Sequence, residues 1–155
     1  MAGKSVYLDS SAILKRYLNE EGSDVVRKAF RDAYRGEVKL AFSFWNIGEV
    51  IGILDKKMRR GHLSWEDFDF LKKGFLAEVK RFTRLGVLEV VPVHSLLLAD
   101  AWELIERHHL YQADALQIVS AKYVGAESFY TADKRLHEAA VKEGLNSILL
   151  VGVRA

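Results

Sequence analysis

The sequence predicts an α/β protein, a three-layer α/β/α sandwich on a parallel sheet, and three observations carry that expectation. Short strand-like runs alternate with helical patterns along the whole chain, the order of successive βα units. Most of these runs are apolar on both faces, as in Val6-Tyr7-Leu8 and Ile148-Leu149-Leu150-Val151, which suits strands covered by helices on either side. The first run ends abruptly on Asp9, and Ser10-Ser11 opens a helix at once. A carboxylate there either caps the helix or faces the C-terminal edge of the sheet, where ligands of such folds bind.

Composition narrows the class. The 155 residues suit a single domain over 1–155, large enough to bury roughly 70% of its unfolded surface. With 50% hydrophobic and 28% charged residues the chain reads as an ordinary globule, and one proline with 11 glycines leaves no stretch for a low-complexity linker. No apolar run approaches the ~20 residues of a membrane span, and Met1-Ala2-Gly3-Lys4 lacks the apolar body of a signal peptide. The absence of cysteine excludes disulfides, thiol catalysis and thiolate metal sites, and the expected location is the cytoplasm. A net charge of +2 is too small to mark a nucleic-acid binder by bulk attraction. Lys56, Lys57, Arg59 and Arg60, then Lys80, Arg81 and Arg84, gather positive charge near helix ends. There it either complements the helix dipole or meets phosphate.

The elements follow in order. After a first helix from Ala12 to Leu18, Gly22-Ser23 restarts the pattern with Ser23 as cap. Val25, Val26, Ala29, Phe30 and Ala33 make one apolar face, and Gly36 stops this second helix. Residues 38–42 form the second strand, and Ser43 caps a helix over 44–60, closed by Gly61. Ser64 with Asp67 resembles a capping box. The helix it opens is faced by Phe68, Leu71, Phe75, Val79 and Phe82 and ended by Gly86. Trp65 and Phe70 fall off that stripe, as extra core or as a partner surface. Residues 88–93 make a third strand, put at an edge by Pro92. Ser95 starts a helix reaching about residue 108, and another covers 111–123. A fourth strand over 128–131, a helix over 134–143 and a fifth strand over 148–151 complete the chain.

Four acids stand out against this scheme. Asp9 and Asp133 each follow a strand and precede a helix, and Asp114 stands at a helix start among small and apolar neighbours. Each has a plainer reading as cap or dipole partner. Glu49 is harder to absorb, because it lies among Trp45, Ile47, Val50, Ile51, Ile53 and Leu54. That helix is expected to be largely buried, so the carboxylate needs an ion-pair partner or a metal. Gly48 and Gly52 beside it suggest that something approaches the helix closely. If the fourth strand lies beside the first, the chain reverses direction there and the crevice collects all four acids. Their repulsion then calls for cations, and oxygen ligands without a suitable His or Cys point to Mg²⁺ or Mn²⁺. Such an ion acidifies a bound water and neutralises a phosphodiester, which is nuclease chemistry. Lys15 and Arg16, a turn beyond Asp9, are candidate contacts to a substrate backbone.

Four pieces in order carry a family resemblance: residues 7–17 (YLDSSAILKRY), 46–50 (NIGEV), 114–118 (DALQI) and 131–136 (TADKRL), with Ala139-Ala140 and Gly144-Leu145 beyond them. Together they resemble the PIN domain, the nuclease family typified by VapC-type toxins of bacteria and archaea. The resemblance implies a five-stranded parallel sheet ordered 3-2-1-4-5. It implies Asp9, Glu49, Asp114 and Asp133 as catalytic residues and ligands of Mg²⁺ or Mn²⁺, with Ser10 and Thr131 helping to orient them. It further implies endoribonuclease activity on RNA, a homodimer, and often a small antitoxin protein that blocks the site. The alternative is a PIN-like module that binds RNA or a protein without cutting. Other Asp-first α/β enzymes fit poorly. A haloacid-dehalogenase-type phosphatase needs a second Asp where Ser11 stands, and a receiver domain needs a lysine that Val151-Gly152-Val153 does not offer. A nucleotide-binding loop needs glycines absent from Asp9-Ser10-Ser11. The five histidines show no metal-ligand spacing.

Overall fold

The computed structural model describes residues 4–151. Its elements run β1 (Lys4–Leu8), α1 (Ser10–Tyr17), α2 (Ser23–Tyr34), β2 (Val38–Ser43), α3 (Phe44–Arg59) and α4 (Trp65–Arg84). They continue with β3 (Leu88–Val91), α5 (Ser95–His108), α6 (Gln112–Tyr123), β4 (Ser128–Thr131), α7 (Lys134–Lys142) and β5 (Ser147–Leu149). The five strands pair in parallel in the order β3-β2-β1-β4-β5, the order that the family resemblance implies. β5 begins one residue early, and pairing runs on past it through a Leu150 N–H to Thr131 carbonyl bond of 2.9 Å.

Strand alternation splits the core into two halves. Successive side chains of a strand point to opposite faces. Val6 and Leu8 therefore join Ile13, Phe30, Phe42, Val50, Phe75 and Phe82 under α1–α4. Tyr7, between them, joins Leu104, Leu116, Ile118, Phe129 and Leu136 under α5–α7. The Tyr7 and Phe129 rings stack at 5.5 Å across neighbouring strands. The chain winds outward from β1 through β2 to β3, then returns to lay β4 on the other side. The edge between β1 and β4 is thus the point where the winding reverses.

The caps differ in detail from expectation. The cap of α2 is Gly22, not Ser23: the Ser23 hydroxyl donates to the Leu18 carbonyl and accepts from the Glu20 N–H. Gly22 sits at φ +84°, and a Cβ there would come within 2.3 Å of the Leu150 carbonyl oxygen, so the close approach to β5 requires glycine. Ser64 accepts from the Asp67 N–H, one half of a capping box, whereas Ser43 and Asn46 make the complete reciprocal pair. Trp65 and Phe70 do not extend the core, since both are exposed on the outer side of α4. Among the described residues no helix is long and apolar enough to cross a membrane.

One polar network fastens the α1–α2–α4 layer. Arg16 lays Nε and Nη2 on the two oxygens of Glu78, each at 3.0 Å, and the Tyr17 and Tyr34 hydroxyls donate to the same carboxylate at 2.8 and 2.9 Å. Burial pushes the Glu78 carboxyl up, but these donors outweigh it and hold it below its ordinary value of 4.5. Glu78→Gln should cost on the order of 3 kcal/mol, read from urea unfolding at neutral pH. A depressed folded pKa stabilises above the unfolded value and is lost as pH falls through the folded one. The gap between wild type and Glu78→Gln should therefore narrow below about pH 4.5.

Candidate functional site

The site begins where β1 runs out. Asp9 is extended (φ −79°, ψ 177°), and its side chain accepts from the Ala12 N–H at 2.9 Å, so it caps α1. The same carboxylate also bridges to the far side of the reversal point. Thr131 donates to Oδ2 at 2.5 Å and Ser11 to Oδ1 at 2.6 Å, while Ser11 accepts from the Ala132 N–H at 2.9 Å. The two readings of Asp9 are therefore not alternatives, because one residue caps a helix and ties β1 to β4. Asp133 caps α7 with Oδ1, accepting from the Arg135 and Leu136 N–H groups at 2.9 and 3.2 Å. Its own N–H donates to Thr131 Oγ1 at 3.0 Å, which links both aspartates through one hydroxyl.

Glu49 reaches the same edge from α3, in surroundings that correct the expectation for this helix. Only Asn46, Val50 and Leu54 of α3 are buried, a single stripe at four-residue spacing. Phe44 and Trp45 are exposed, and a Cβ on Gly48 or Gly52 would meet nothing within 4 Å. The helix is thus one-sided, and its glycines do not mark a close approach. Glu49 is half-buried and its partners are neutral: Ser10 donates to Oε1 at 2.8 Å and Asn46 Nδ2 lies at 3.4 Å. Asn46 is wholly buried and holds three things together. Its Oδ1 accepts from the Ser43 N–H at 2.8 Å, and its Nδ2 donates to Ser10 Oγ at 2.8 Å besides facing Glu49.

Asp114 is the third residue of α6 and half-buried; the cap position is Tyr111, which makes no side-chain cap bond. α6 is locked onto β1 from below by the buried Tyr7 hydroxyl, which donates to Gln117 Oε1 at 2.8 Å.

Electrostatics joins the four acids. Burial pushes the Asp9 carboxyl up to about 6; the donors Ser11, Thr131 and Ala12 oppose the rise, and the charge of Asp133 adds to it. Asp114 is likewise raised, by burial first and then by Asp133 and Glu49, with Arg135 opposing. Asp9 thus feels Asp133, and Asp114 feels both Asp133 and Glu49. As placed, however, no three His, Asp or Glu side chains among the described residues stand close enough together to grip an ion. A larger cavity of about 430 Å³, lined in part by Glu103, Arg107, Lys122 and Glu143, contains none of the four acids.

Two other candidates have different tasks. Lys15 is buried, 3.6 Å from Glu20, and Arg16 is committed to Glu78, so neither presents a cation to a substrate backbone. Arg16 is drawn to Glu78 of α4, and Lys15 to Glu20 in the segment that follows α1. Sequence reasoning gave Asn46 and Ser11 no site role. A polar residue one turn before Val50 on the buried stripe of α3 was a usable signal for Asn46. Ser11 had none, because its partner Ala132 lies 121 residues away.

The family model described as PIN domain matches residues 6–142. A search of the curated proteins found no match. Among solved structures, PAE2754 from Pyrobaculum aerophilum superposes with a TM-score of 0.63 at 19% identity, covering 88% of this chain and 79% of its own. VapC20 from Mycobacterium tuberculosis, a Sarcin-Ricin loop cleaving toxin, gives 0.61 at 16% identity, covering 86% and 94%. VapBC2 from Rickettsia felis, bound to a DNA fragment from their promoter, gives 0.58 at 13% identity, covering 94% and 98%. At such identities the likeness is one of fold.

The raised Asp9 carboxyl makes a pH-dependent prediction. Its ordinary value is 3.8, so keeping it ionised in the fold costs up to about 3 kcal/mol above pH 6 and nothing below pH 4. Asp9→Asn should therefore be more stable than wild type in urea unfolding at pH 8, with the gain shrinking toward pH 4. Asn46→Ala should cost roughly 1–3 kcal/mol, because it strips a partner from the buried Ser43 N–H. Asn46→Asp should cost more at neutral pH by setting a like charge against Glu49.

Proposed function

Because the chain belongs to the PIN domain family, we propose that it is a metal-dependent endoribonuclease and the toxin of a type II toxin–antitoxin pair. The observation that carries the reading is that, at the reversal point of a parallel sheet, Asp133 raises Asp9 and Asp133 and Glu49 raise Asp114. Among the described residues Glu49 has only neutral hydrogen-bond partners there, and Arg135 is the one cation felt by Asp114. An all-oxygen, anionic donor set suits Mg²⁺ or Mn²⁺ rather than a softer ion. These four side chains would hold it, and the ion would supply a phosphodiester's charge neutralisation and an acidified water for attack. Thr131 and Ser11 fix the rotamer of Asp9, and Ser10 with Asn46 fixes that of Glu49, so these two carboxylates are positioned by neutral donors.

RNA is the proposed substrate, the cytoplasm the proposed location, and a homodimer the proposed state. An antitoxin partner is supported by the likeness to VapBC2. The exposed Trp65 and Phe70 of α4 are an apolar surface for such a partner. A module that binds without cutting is the second reading, and the spacing of the acids, no three of which grip an ion as placed, speaks for it.

Purified protein should cleave RNA with Mg²⁺ or Mn²⁺ and stop on adding EDTA, and Asp9→Asn and Asp114→Asn should each abolish cleavage. Mg²⁺ should also raise the melting temperature of wild type more than that of either variant, since an ion bound only by the native state stabilises it. Cleavage that survives exhaustive chelation would remove the metal mechanism. RNA binding without cleavage, and without any metal-dependent melting shift, would select the second reading.

A further inference from the structure

Beside the acids lies a concavity of different chemistry. About 330 Å³ is enclosed by Trp45, Val93, Leu98, Gln112, Ala113 and Leu116, within the size range of small-molecule sites. Two of its walls grow from helices that carry the acids. Trp45 stands four residues before Glu49 on α3, and residues four apart share a helix face. Gln112 and Ala113 immediately precede Asp114 at the start of α6. The cavity and the carboxylates thus share one edge of the sheet.

The lining states what would bind. No charged side chain contributes, so no ion pair would anchor a ligand here. It presents an aromatic ring, Trp45, left 49% exposed, and a single carboxamide, Gln112, that can donate and accept at once. A flat apolar ring with one donor–acceptor group is the equipment for a nucleobase, which stacks by its face and is read by its edge. A stable contact between copies of the chain needs about 800 Å² from each, far more than this compact hollow supplies. The geometry points to a base pocket: one unpaired base of a single-stranded RNA stacks on Trp45, Gln112 reads its edge, and the adjoining phosphate is delivered to the four acids. This rests on the nuclease reading and makes Trp45 and Gln112 the determinants of where the strand is cut.

The test measures binding of a short single-stranded RNA in the Asp9→Asn background, so that the RNA survives, together with cleavage patterns in the otherwise wild-type protein. Trp45→Ala should weaken binding about 5- to 100-fold, the worth of one stacked base, while Trp45→Phe keeps most of it. With an abasic nucleotide scanned along the RNA, one position should weaken binding to the Trp45 protein yet leave binding to Trp45→Ala unchanged. Gln112→Ala, altering an exposed helix-start residue, should flatten base preference at the cut site. Full binding by Trp45→Ala with an unchanged cleavage pattern for Gln112→Ala overturns the pocket and leaves the nuclease reading standing. A parent dimer that Trp45→Ala splits in sedimentation, with RNA binding retained by the monomer, also overturns it, because the face then serves a second copy. If wild type neither binds nor cuts RNA, the nuclease reading fails and the pocket fails with it.

Discussion

A carboxylate that is 5% exposed must be hydrogen-bonded or neutralised, and Asp9 meets that constraint with one backbone N–H, two hydroxyls and no cation. The rest of the edge is arranged to make those donors available. β4 must lie beside β1 for Thr131 to reach across, and α1 must start at residue 10 for the Ala12 N–H to point back. Ser11 must face the β4–α7 turn for its hydroxyl to serve Asp9 and Ala132 at once. Hydrogen bonds favour the charged form while burial and Asp133 oppose it, and burial prevails.

The same chain neutralises acids readily elsewhere. Glu143 is gripped by Lys122, His108 and Arg107 at 2.7–2.8 Å; burial pushes its carboxyl up, but these donors bring it down to about 2. Glu78 has Arg16 and two tyrosines. Both are cross-braces, one joining α5, α6 and α7, the other α1, α2 and α4. At the carboxylate edge, among the described residues, only Arg135 tempers Asp114, and Arg135 also donates to the His109 carbonyl at 2.7 Å. The contrast separates acids that are stabilised by cations from acids held in place by neutral donors. That difference gives the edge its chemical character.

Much of this was legible in the sequence. Apolar runs located all five strands because a parallel strand is covered on both faces, and Ser43 announced α3 because an N-cap is a local device. Each of the four acids sits at an element boundary or within the first two turns of a helix. What failed was inference about neighbours. The Glu49 surroundings were read from residue types, yet which stripe of a helix is buried depends on where the sheet lies, and Trp45 and Gly48 fell outside it. Lys15 and Arg16 were read as substrate contacts from their place a turn beyond Asp9, whereas Glu78, 62 residues away from Arg16, determines where Arg16 goes. Ser23 lost its cap role to Gly22 because Leu150 leaves no room there for a side chain.

The bond from Thr131 to Asp9 spans 122 residues, and that from Tyr7 to Gln117 spans 110. β1, β2 and β3 with α1–α4 come from the first three-fifths of the chain and contain most of one core half among themselves. β4 follows only after α5 and α6, beside a β1 whose other edge pairs with β2. Pairings of such long sequence separation form slowly and late. On the ribosome, where chains emerge N-terminus first, Asp9 and Glu49 are exposed to the cell well before Asp133 has been made. Asp9 and Glu49 therefore gain Thr131 and Asp133 as neighbours only once β4 has been made and paired to β1.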